Sequence, residues 1–506
     1  MSARIPAVQD AVEHPDSYGA RQWSGWVLGP GALLLTLITE PPSGLSVEGW
    51  HTAGAAALMA IWWICETVPI PVTALVPLAL FPMLRLGTIK EVAAPYANPL
   101  VFLFLGGFVI ALAMQKWNLH RRVAIGLIGA LGTRPNRILA GFLLAGALVS
   151  MWVSNTATAL MMLPIASSVV ALARDAKKGG GPGKDFGPAL MLAVAYGATT
   201  GGMATLIGTP PNALLAGYLN RVYEYEIGFG QWMMIGLPMT IVALPIVYLV
   251  LTRVIFRLNR EPLAGMDDLI VEERSRLGRF SRGESWVAIV FAFTALAWIF
   301  RPLLANYLPF LSDTTIAIFG AVVLFMLPID ARKGVFVMDW AATKALPWDV
   351  LLLFGGGLSL ASMIQSHGLS EYLGTLCKAL DAWPVVLTMA VICFGILMLT
   401  ELTSNTATAA TFLPIVGAVA ISLGQNPLLF LVPTALAANC SYMMPVGTPP
   451  NAIVFGSGFL SLPQMAKAGF LLNLSLVPIV IVLVWLLGPY VFDLRLDVLP
   501  EWVLGK

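Results

Sequence analysis

Charge is what this sequence has least of. Only 11% of its 506 residues are Asp, Glu, Lys or Arg, against roughly 25% in an ordinary soluble domain. A chain this long could bury a large soluble core, yet no such core needs 58% hydrophobic residues. The apolar residues come in blocks of about twenty, the length that spans a bilayer. A soluble protein is excluded, and membrane embedding follows. Residues for catalysis or metal ligation are scarce too. The four cysteines (Cys65, Cys377, Cys393, Cys440) are scattered, with no CxxC pair and no histidine at ligand spacing, so they read as apolar packing residues. Neither HExxH nor GxSxG occurs. The GGGPGKD stretch at 179–185 fails as a phosphate loop, because Lys178 and Asp185 stand where the pattern needs Gly and Ser or Thr. An enzyme is not indicated. The formal net charge of +2 singles out no partner, and nucleic acid is not expected to be one.

What is present is a series of apolar blocks. The chain opens on polar residues including Asp10, Glu13 and Asp16 rather than on a basic signal-peptide start, so the first block is expected to stay as a helix. Spans are expected near 24–40, 51–68, 71–86, 98–117, 188–220, 231–256, 284–306, 314–329, 348–366, 427–457 and 467–491. Two longer stretches, about 137–172 and 384–423, each carry a polar break at the centre and leave too little chain for a loop between two full spans. Each reads as a re-entrant hairpin. The expected fold is an all-α polytopic membrane protein of eleven transmembrane helices plus two hairpins. With the N-terminus inside, most of the 29 Lys and Arg residues fall on cytoplasmic segments. The C-terminus is then extracytoplasmic, and the membrane is the plasma or inner membrane.

The chain repeats itself. FLGGFVIALAMQKWNL at 104–119 matches FGGGLSLASMIQSHGL at 354–369, and SNTATALMMLP at 154–164 matches SNTATAATFLP at 404–414, both at a shift of 250. IGTPPNALLAG at 207–217 matches VGTPPNAIVFG at 446–456 at a shift of 239. The shorter shift places an excess of 11 residues in the first half, where the loop at 179–187 holds it. The organisation is then an N-terminal segment with the first helix (1–50), a first repeat (51–256), a connector (257–283), a second repeat (284–491) and a C-terminal tail (492–506). Five spans per unit give the copies opposite topology, an inverted repeat of the kind transporters use. A channel is disfavoured by the lack of a charge ring or filter-like loop. The connector reads as a solvated cytoplasmic segment.

The duplicated motifs carry the chemistry. Ser154-Asn155-Thr156 and Ser404-Asn405-Thr406 sit at the hairpin tips, where helix-end N–H and C=O groups need partners. One such triplet alone would more often be packing glue, but two at equivalent tips point to a site. Carbonyl and Asn oxygens suit a hard cation, and N–H groups and hydroxyls suit an anion. Gly208-Thr209-Pro210-Pro211-Asn212 and Gly447-Thr448-Pro449-Pro450-Asn451 break two helices, since consecutive prolines remove two donors. Unwound backbone at membrane depth must be buried or line a cavity. Each break is expected to face its own hairpin tip.

These paired motifs, with WWICETVPIPVTALVP at 62–77, resemble the divalent anion:sodium symporter family, over nearly the whole chain. The resemblance implies a homodimer in the lipid bilayer, whose transport domain moves by an elevator-type displacement. It also implies one Na⁺ site at Ser150, Ser154, Asn155 and Gly208, and a second at Thr400, Ser404, Asn405 and Gly447. A small dianionic substrate, such as a C4-dicarboxylate, would meet Asn155, Thr156, Thr209, Asn405, Thr406 and Pro449. The coupling ion would be Na⁺, with no organic cofactor. Ser150 and Thr400 are themselves 250 apart. No Lys, Arg or His lies within four residues of any of the four motifs. A dianion would therefore meet only neutral donors and helix N-termini, each worth about half a charge, and burying it on those terms is costly. Bound Na⁺ would supply the missing charge. A third Na⁺ per dianion would move one net charge, worth roughly 2.3 kcal/mol per 100 mV.

Other ionisable residues weigh less. Glu401 faces the neutral Met151 across the repeat, and Glu66 ends the second span; both read as hydrogen-bonded or snorkelling carboxylates rather than proton carriers. His120 and His367 read as solvated. The alternatives on the same fold are a sodium-independent or proton-coupled exchanger, or a carrier of sulfate or citrate.

Overall fold

Backbone in hydrocarbon has no water to satisfy it, so the chain must close its hydrogen bonds within helices. The computed structural model, which describes residues 19–175, 183–259, 261–305, 307–376, 382–495 and 498–504, is accordingly helical almost throughout. Helices α1 (Ala20–Ile38) and α2 (Val47–Cys65) pair first, followed by the short α3 (Ile70–Thr73), α4 (Val76–Met83) and α5 (Ile89–Ala93). Then come α6 (Pro99–Lys116), α7 (Leu119–Leu131), α8 (Pro135–Ser150), α9 (Asn155–Asp175), α10 (Phe186–Gly202), α11 (Pro210–Tyr223) and α12 (Phe229–Leu249). After α13 (Met266–Leu277), the second half begins with α14 (Arg282–Ile299), α15 (Arg301–Leu304) and α16 (Asp313–Met326). A two-stranded hairpin, Pro328–Asp330 with Val335–Phe336, leads to α17 (Trp348–Ser366) and α18 (Leu369–Leu376). The chain ends with α19 (Val385–Thr400), α20 (Asn405–Ser422), α21 (Leu428–Asn439), α22 (Pro449–Gly456), α23 (Leu462–Phe492) and α24 (Glu501–Leu504).

Seven helical stretches among the described residues are long and apolar enough to cross a membrane, and α8, α16, α19 and α21 are shorter apolar helices. The stretches expected as single spans at 188–220 and 427–457 are each two helices, α10–α11 and α21–α22, with the break at the Gly-Thr-Pro-Pro motif. Each expected hairpin is a helix–tip–helix unit, α8–α9 and α19–α20, with its Ser-Asn-Thr at the tip.

The order α6 to α12 recurs as α17 to α23. Contacts between the halves come in reciprocal pairs: α10 packs on α22 as α21 packs on α11, and α9 on α22 as α20 on α11. Exchange of this kind defines an approximate two-fold relation. Phe104 and Phe354, aligned by the shift of 250, meet with ring centroids 4.9 Å apart. A residue touching its own counterpart lies on the two-fold axis.

Helix α10 is buried along its whole length, as is α21. Small residues let α10 approach α8 backbone to backbone. A Cβ on Gly197 would lie 2.6 Å from Leu143 O, and one on Gly201 would clash with Ala147 O at 2.2 Å.

Two expectations need correction, on the connector and on the histidines, and one further helix lies outside the expected spans. The connector is not simply a solvated stretch. Its Leu263, Met266, Ile270 and Glu273 are buried, and α13 packs on α7. Arg121 and Arg276 pair with the Glu273 carboxylate at 2.6 and 2.8 Å. The amphipathic helix α7 was absent from the expected spans; its mixed polar and apolar residues end any apolar run. Finally, His120 is not solvated, since it is 6% exposed with its Nδ1 3.0 Å from Met114 O. His367 is half-buried against Thr52 Oγ1 and Met363 O. Cys377 and residues 179–182 of the glycine loop lie outside the described residues.

Candidate functional site

The two tips share one hydroxyl–Asn pair. Ser150 Oγ, at the end of α8, donates to Asn155 Oδ1 at 2.5 Å. Thr400 Oγ1, at the end of α19, donates to Asn405 Oδ1 at 2.7 Å, and it also lies 2.9 Å from Ala438 O. In both tips the hydroxyl that closes the first helix meets the Asn that opens the second. Ser150 and Thr400 are fully buried, whereas Ser154, Asn155 and Thr156 are half-buried, as are Ser404, Asn405 and Thr406. The motif side chains are thus reachable and their supports are not.

The broken helices are braced alike as well. Asn212 Nδ2 donates to the carbonyls of Gly202, Met203 and Thr205, at 3.4, 3.3 and 2.8 Å. Asn451 Nδ2 donates to Ser441 O and Met444 O, at 3.2 and 3.0 Å. Under the shift of 239, Ser441 is the equivalent of Gly202 and Met444 that of Thr205. The final Asn of each Gly-Thr-Pro-Pro-Asn motif therefore caps carbonyls that the break would leave unpaired. Thr209 and Thr448 hold the same extended backbone, φ −143° and ψ 146° against φ −142° and ψ 148°. Both hydroxyls are buried without a hydrogen-bond partner among the described residues, a costly state that a bound ligand would relieve.

The first half-site closes around glycine. A Cβ on Gly202 would lie 2.5 Å from Asn155 Oδ1 and 3.1 Å from Gly208 O, and one on Gly208 would lie 2.3 Å from Gly202 O. Ser150, Asn155, Gly202 and Gly208 are thus brought together, with Ser154 capping α9 through a 3.3 Å bond from Ala157 N. In the second half-site, Gly447 approaches the Glu401 carbonyl and the Ser441 hydroxyl, and Ser404 precedes α20 without a side-chain cap. Hydroxyl, amide and carbonyl oxygens form a hard, neutral donor set that fits an alkali cation. Pro449 is exposed as the first residue of α22; its repeat equivalent is Pro210, and the equivalent of Thr209 is Thr448.

What fastens each tip to its break differs. In the first half, Thr205 Oγ1 donates to Met151 O at 2.5 Å. In the second, the residue equivalent to Met151 is Glu401, whose buried carboxylate accepts from the backbone N–H groups of Tyr442 at 2.8 Å, Met443 at 2.9 Å and Met444 at 3.0 Å. Ser441 Oγ at 3.2 Å and Asn473 Nδ2 at 2.6 Å complete the shell. Glu401 is a hydrogen-bonded carboxylate, as expected, but it takes part in a repeated task. A buried Glu three residues before a duplicated tip was the available signal. Glu66 has no such role: it caps α2 in the left-handed conformation (φ 49°) and lies 3.4 Å from Arg21.

The chain also matches known proteins. Residues 22–493 match the family described as the sodium:sulfate symporter transmembrane region. The chain is 42% identical over 485 residues to a sodium-dependent dicarboxylate transporter of Staphylococcus saprophyticus, covering 94% of this chain and 93% of that protein. It is 42% identical over 487 residues to the same-named protein of Staphylococcus aureus strain USA300, covering 95% and 94%. Among solved structures it resembles the YdaH transporter of Alcanivorax borkumensis (TM-score 0.57, 15% identity, 86% of this chain and 98% of that one). It also resembles MtrF of Neisseria gonorrhoeae, titled among antimetabolite efflux pumps (TM-score 0.54, 12% identity, 93% and 96%). At those identities the solved structures speak for the fold alone. The duplicated motifs, their matched geometry and the family match over residues 22–493 make this chain a member of the divalent anion:sodium symporter family of membrane transporters.

Proposed function

We propose that the protein is a sodium-coupled symporter of a small dianionic carboxylate, a C4-dicarboxylate such as succinate, malate or fumarate. The observation that carries this reading is the duplicated hydroxyl–Asn pair, Ser150–Asn155 and Thr400–Asn405, set among oxygen donors with no basic side chain in the motifs. Each pair with its facing break holds one Na⁺. Asn155, Thr156, Asn405 and Thr406, with Thr209 and Pro449 at the breaks, meet the substrate. Without a basic side chain in any of the four motifs, the dianion depends on the ions for its counter-charge. Anion binding therefore requires sodium. The printed names of the 42% identical relatives point to the same ion and substrate class.

Transport follows an elevator-type displacement. The helices that bear both half-sites, α8 to α11 and α19 to α22, pack on one another across the two-fold relation, which favours their moving as one body. The working unit is a homodimer with inverted repeats in the plasma or inner membrane, and the Lys and Arg asymmetry orients the N-terminus to the cytoplasm. Uptake of labelled succinate into proteoliposomes, with and without an inward Na⁺ gradient, tests the proposal. Sodium-independent uptake refutes symport in favour of exchange or proton coupling. Competition by sulfate or citrate above that by malate would reassign the substrate.

A further inference from the structure

The half-sites repeat, but buried hydrogen bonds running between them do not, and two of these join side chain to side chain. Asn212 commits its amide nitrogen to the carbonyls of the first break, and its Oδ1 accepts from Asn439 Nδ2 at 2.8 Å. Asn439 ends α21 in the other half and also donates to Ala435 O at 3.0 Å. Its chain neighbour Ala438 presents the carbonyl that meets Thr400 Oγ1, the hydroxyl paired with Asn405. Asn212 and Asn439 are 0% and 1% exposed. The second bond joins Thr200 Oγ1, two residues before Gly202, to the Tyr442 hydroxyl at 2.9 Å. Tyr442 lies in the second break. Its N–H is held by Glu401, and its carbonyl accepts from Tyr196 at 2.7 Å.

Repeat equivalence shows that these links are additions. The shift of 239 carries Asn451 onto Asn212 and Asn439 onto Thr200. Asn451 Oδ1 has no hydrogen-bond partner among the described residues, so the Asn–Asn bridge has no mirror image there. Its geometry transmits movement. When a cation draws the carbonyls of the first break, Asn212 is drawn with them, because its amide donates to Thr205 O at 2.8 Å with Gly202 O and Met203 O close by. Its oxygen then carries the displacement to Asn439 and so to the Ala438 carbonyl, Thr400 and Asn405. Both amides are buried from bulk solvent, and losing the bond would leave a buried donor and acceptor unpaired.

We propose that the Asn212–Asn439 bond, seconded by Thr200–Tyr442, couples the two half-sites so that sodium bound at one prepares the other. Asn212 and Asn439 act as positioning residues and touch neither ion nor substrate. The inference rests on the reading of the half-sites as sodium sites. Coupling between sites typically changes affinity by about 5- to 150-fold.

The test compares the full-length protein with Asn439→Leu, which removes the donor at similar volume, and with Tyr442→Phe, which removes one hydroxyl. Two readouts are taken: sodium activation of succinate uptake in proteoliposomes, and the rise in unfolding temperature on titrating Na⁺ in detergent. The unmodified protein responds with a Hill coefficient above that of two independent, jointly required sites. In Asn439→Leu the coefficient falls to the independent-site value and the sodium midpoint rises about fivefold or more, while uptake at saturating sodium is largely retained. Tyr442→Phe moves both in the same direction by less. A purely structural role would lower stability or maximal uptake and leave the coefficient alone. An unchanged coefficient in both variants overturns the coupling, and if Asn439→Leu does not fold, an unchanged coefficient in Tyr442→Phe does so alone. An independent-site coefficient in a sodium-dependent unmodified protein also overturns it, leaving symport intact. Sodium-independent behaviour in both readouts overturns symport and coupling together.

Discussion

Adding a single methyl group at Gly202 addresses the first half-site directly. Gly202 ends α10 with an ordinary backbone conformation, so alanine is conformationally allowed and only space is at issue. The new Cβ would lie 2.5 Å from Asn155 Oδ1, 2.5 Å from Thr209 Cγ2 and 3.1 Å from Gly208 O. All three are well inside the ~3.5–4.0 Å at which carbon contacts are favourable. Overpacking of this kind costs about 1–3 kcal/mol. The broken backbone is held by Asn212, so the group free to give way is the half-buried Asn155, the proposed cation ligand. If its displacement carries the cost, the sodium needed for half-maximal uptake rises by about 5- to 150-fold, at about 1.4 kcal/mol per factor of ten. Sodium titration of succinate uptake in proteoliposomes measures this directly. Gly456→Ala serves as the control, because nothing lies within 4 Å of a Cβ there. A Gly202→Ala protein that folds and keeps the original sodium midpoint would refute the placement of a cation among Asn155, Gly202 and Gly208.

Three further outcomes are expected. Asn155→Ala and Asn405→Ala each raise the sodium requirement and weaken substrate binding; a variant whose sodium dependence is untouched removes that half from the assignment. Glu401→Gln turns an amide NH₂ toward a shell made of donors, lowering stability by about 3 kcal/mol or more; an unfolding temperature equal to that of the unmodified protein would show that the shell does not hold the break. Outside the membrane-spanning helices, the Lys116 ammonium, 2.6 Å away, and then the Ala342 N–H hold the Asp339 carboxyl below its ordinary 3.8, against the opposing effect of partial burial. A depressed carboxylate stabilises above its unfolded value and loses that contribution as pH falls through its folded value. The gap in unfolding temperature between the unmodified protein and Asp339→Asn is therefore present at pH 6 and closes below pH 3.8; a gap independent of pH would show that the charge contributes nothing.

Much of the site was legible because duplication makes weak signals strong. One Ser-Asn-Thr says little, but two at a shift of 250 locate both tips, and the matching Ser150 and Thr400 anticipate the hydroxyl–Asn pairs found there. The breaks were legible because Pro-Pro cannot continue a helix. The partner of Asn439 was not, since a bond across 227 residues leaves no periodic trace. Thr448 was obscured in the same way: Thr209 was singled out in one half, yet its equivalent, with the same backbone and the same unpaired hydroxyl, was passed over for Pro449. The connector misled by composition. Its charges suggest a solvated face, whereas Glu273 is buried because two arginines accompany it, and only tertiary structure supplies that pairing.

The unlike fastenings of the two tips bear on how such a gene can change after duplication. What the halves present to the centre is interchangeable, a hydroxyl and an Asn from each. What holds them in place is not, because one half relies on the hydroxyl of Thr205 and the other on the carboxylate of Glu401. A tip transplanted from the second half into the first would bring its carboxylate to a break not shaped to receive it. The reverse graft would leave the N–H groups of Tyr442, Met443 and Met444 without their acceptor. Exchange of a tip between the copies is thus penalised at the joints, and each tip works only with its own break.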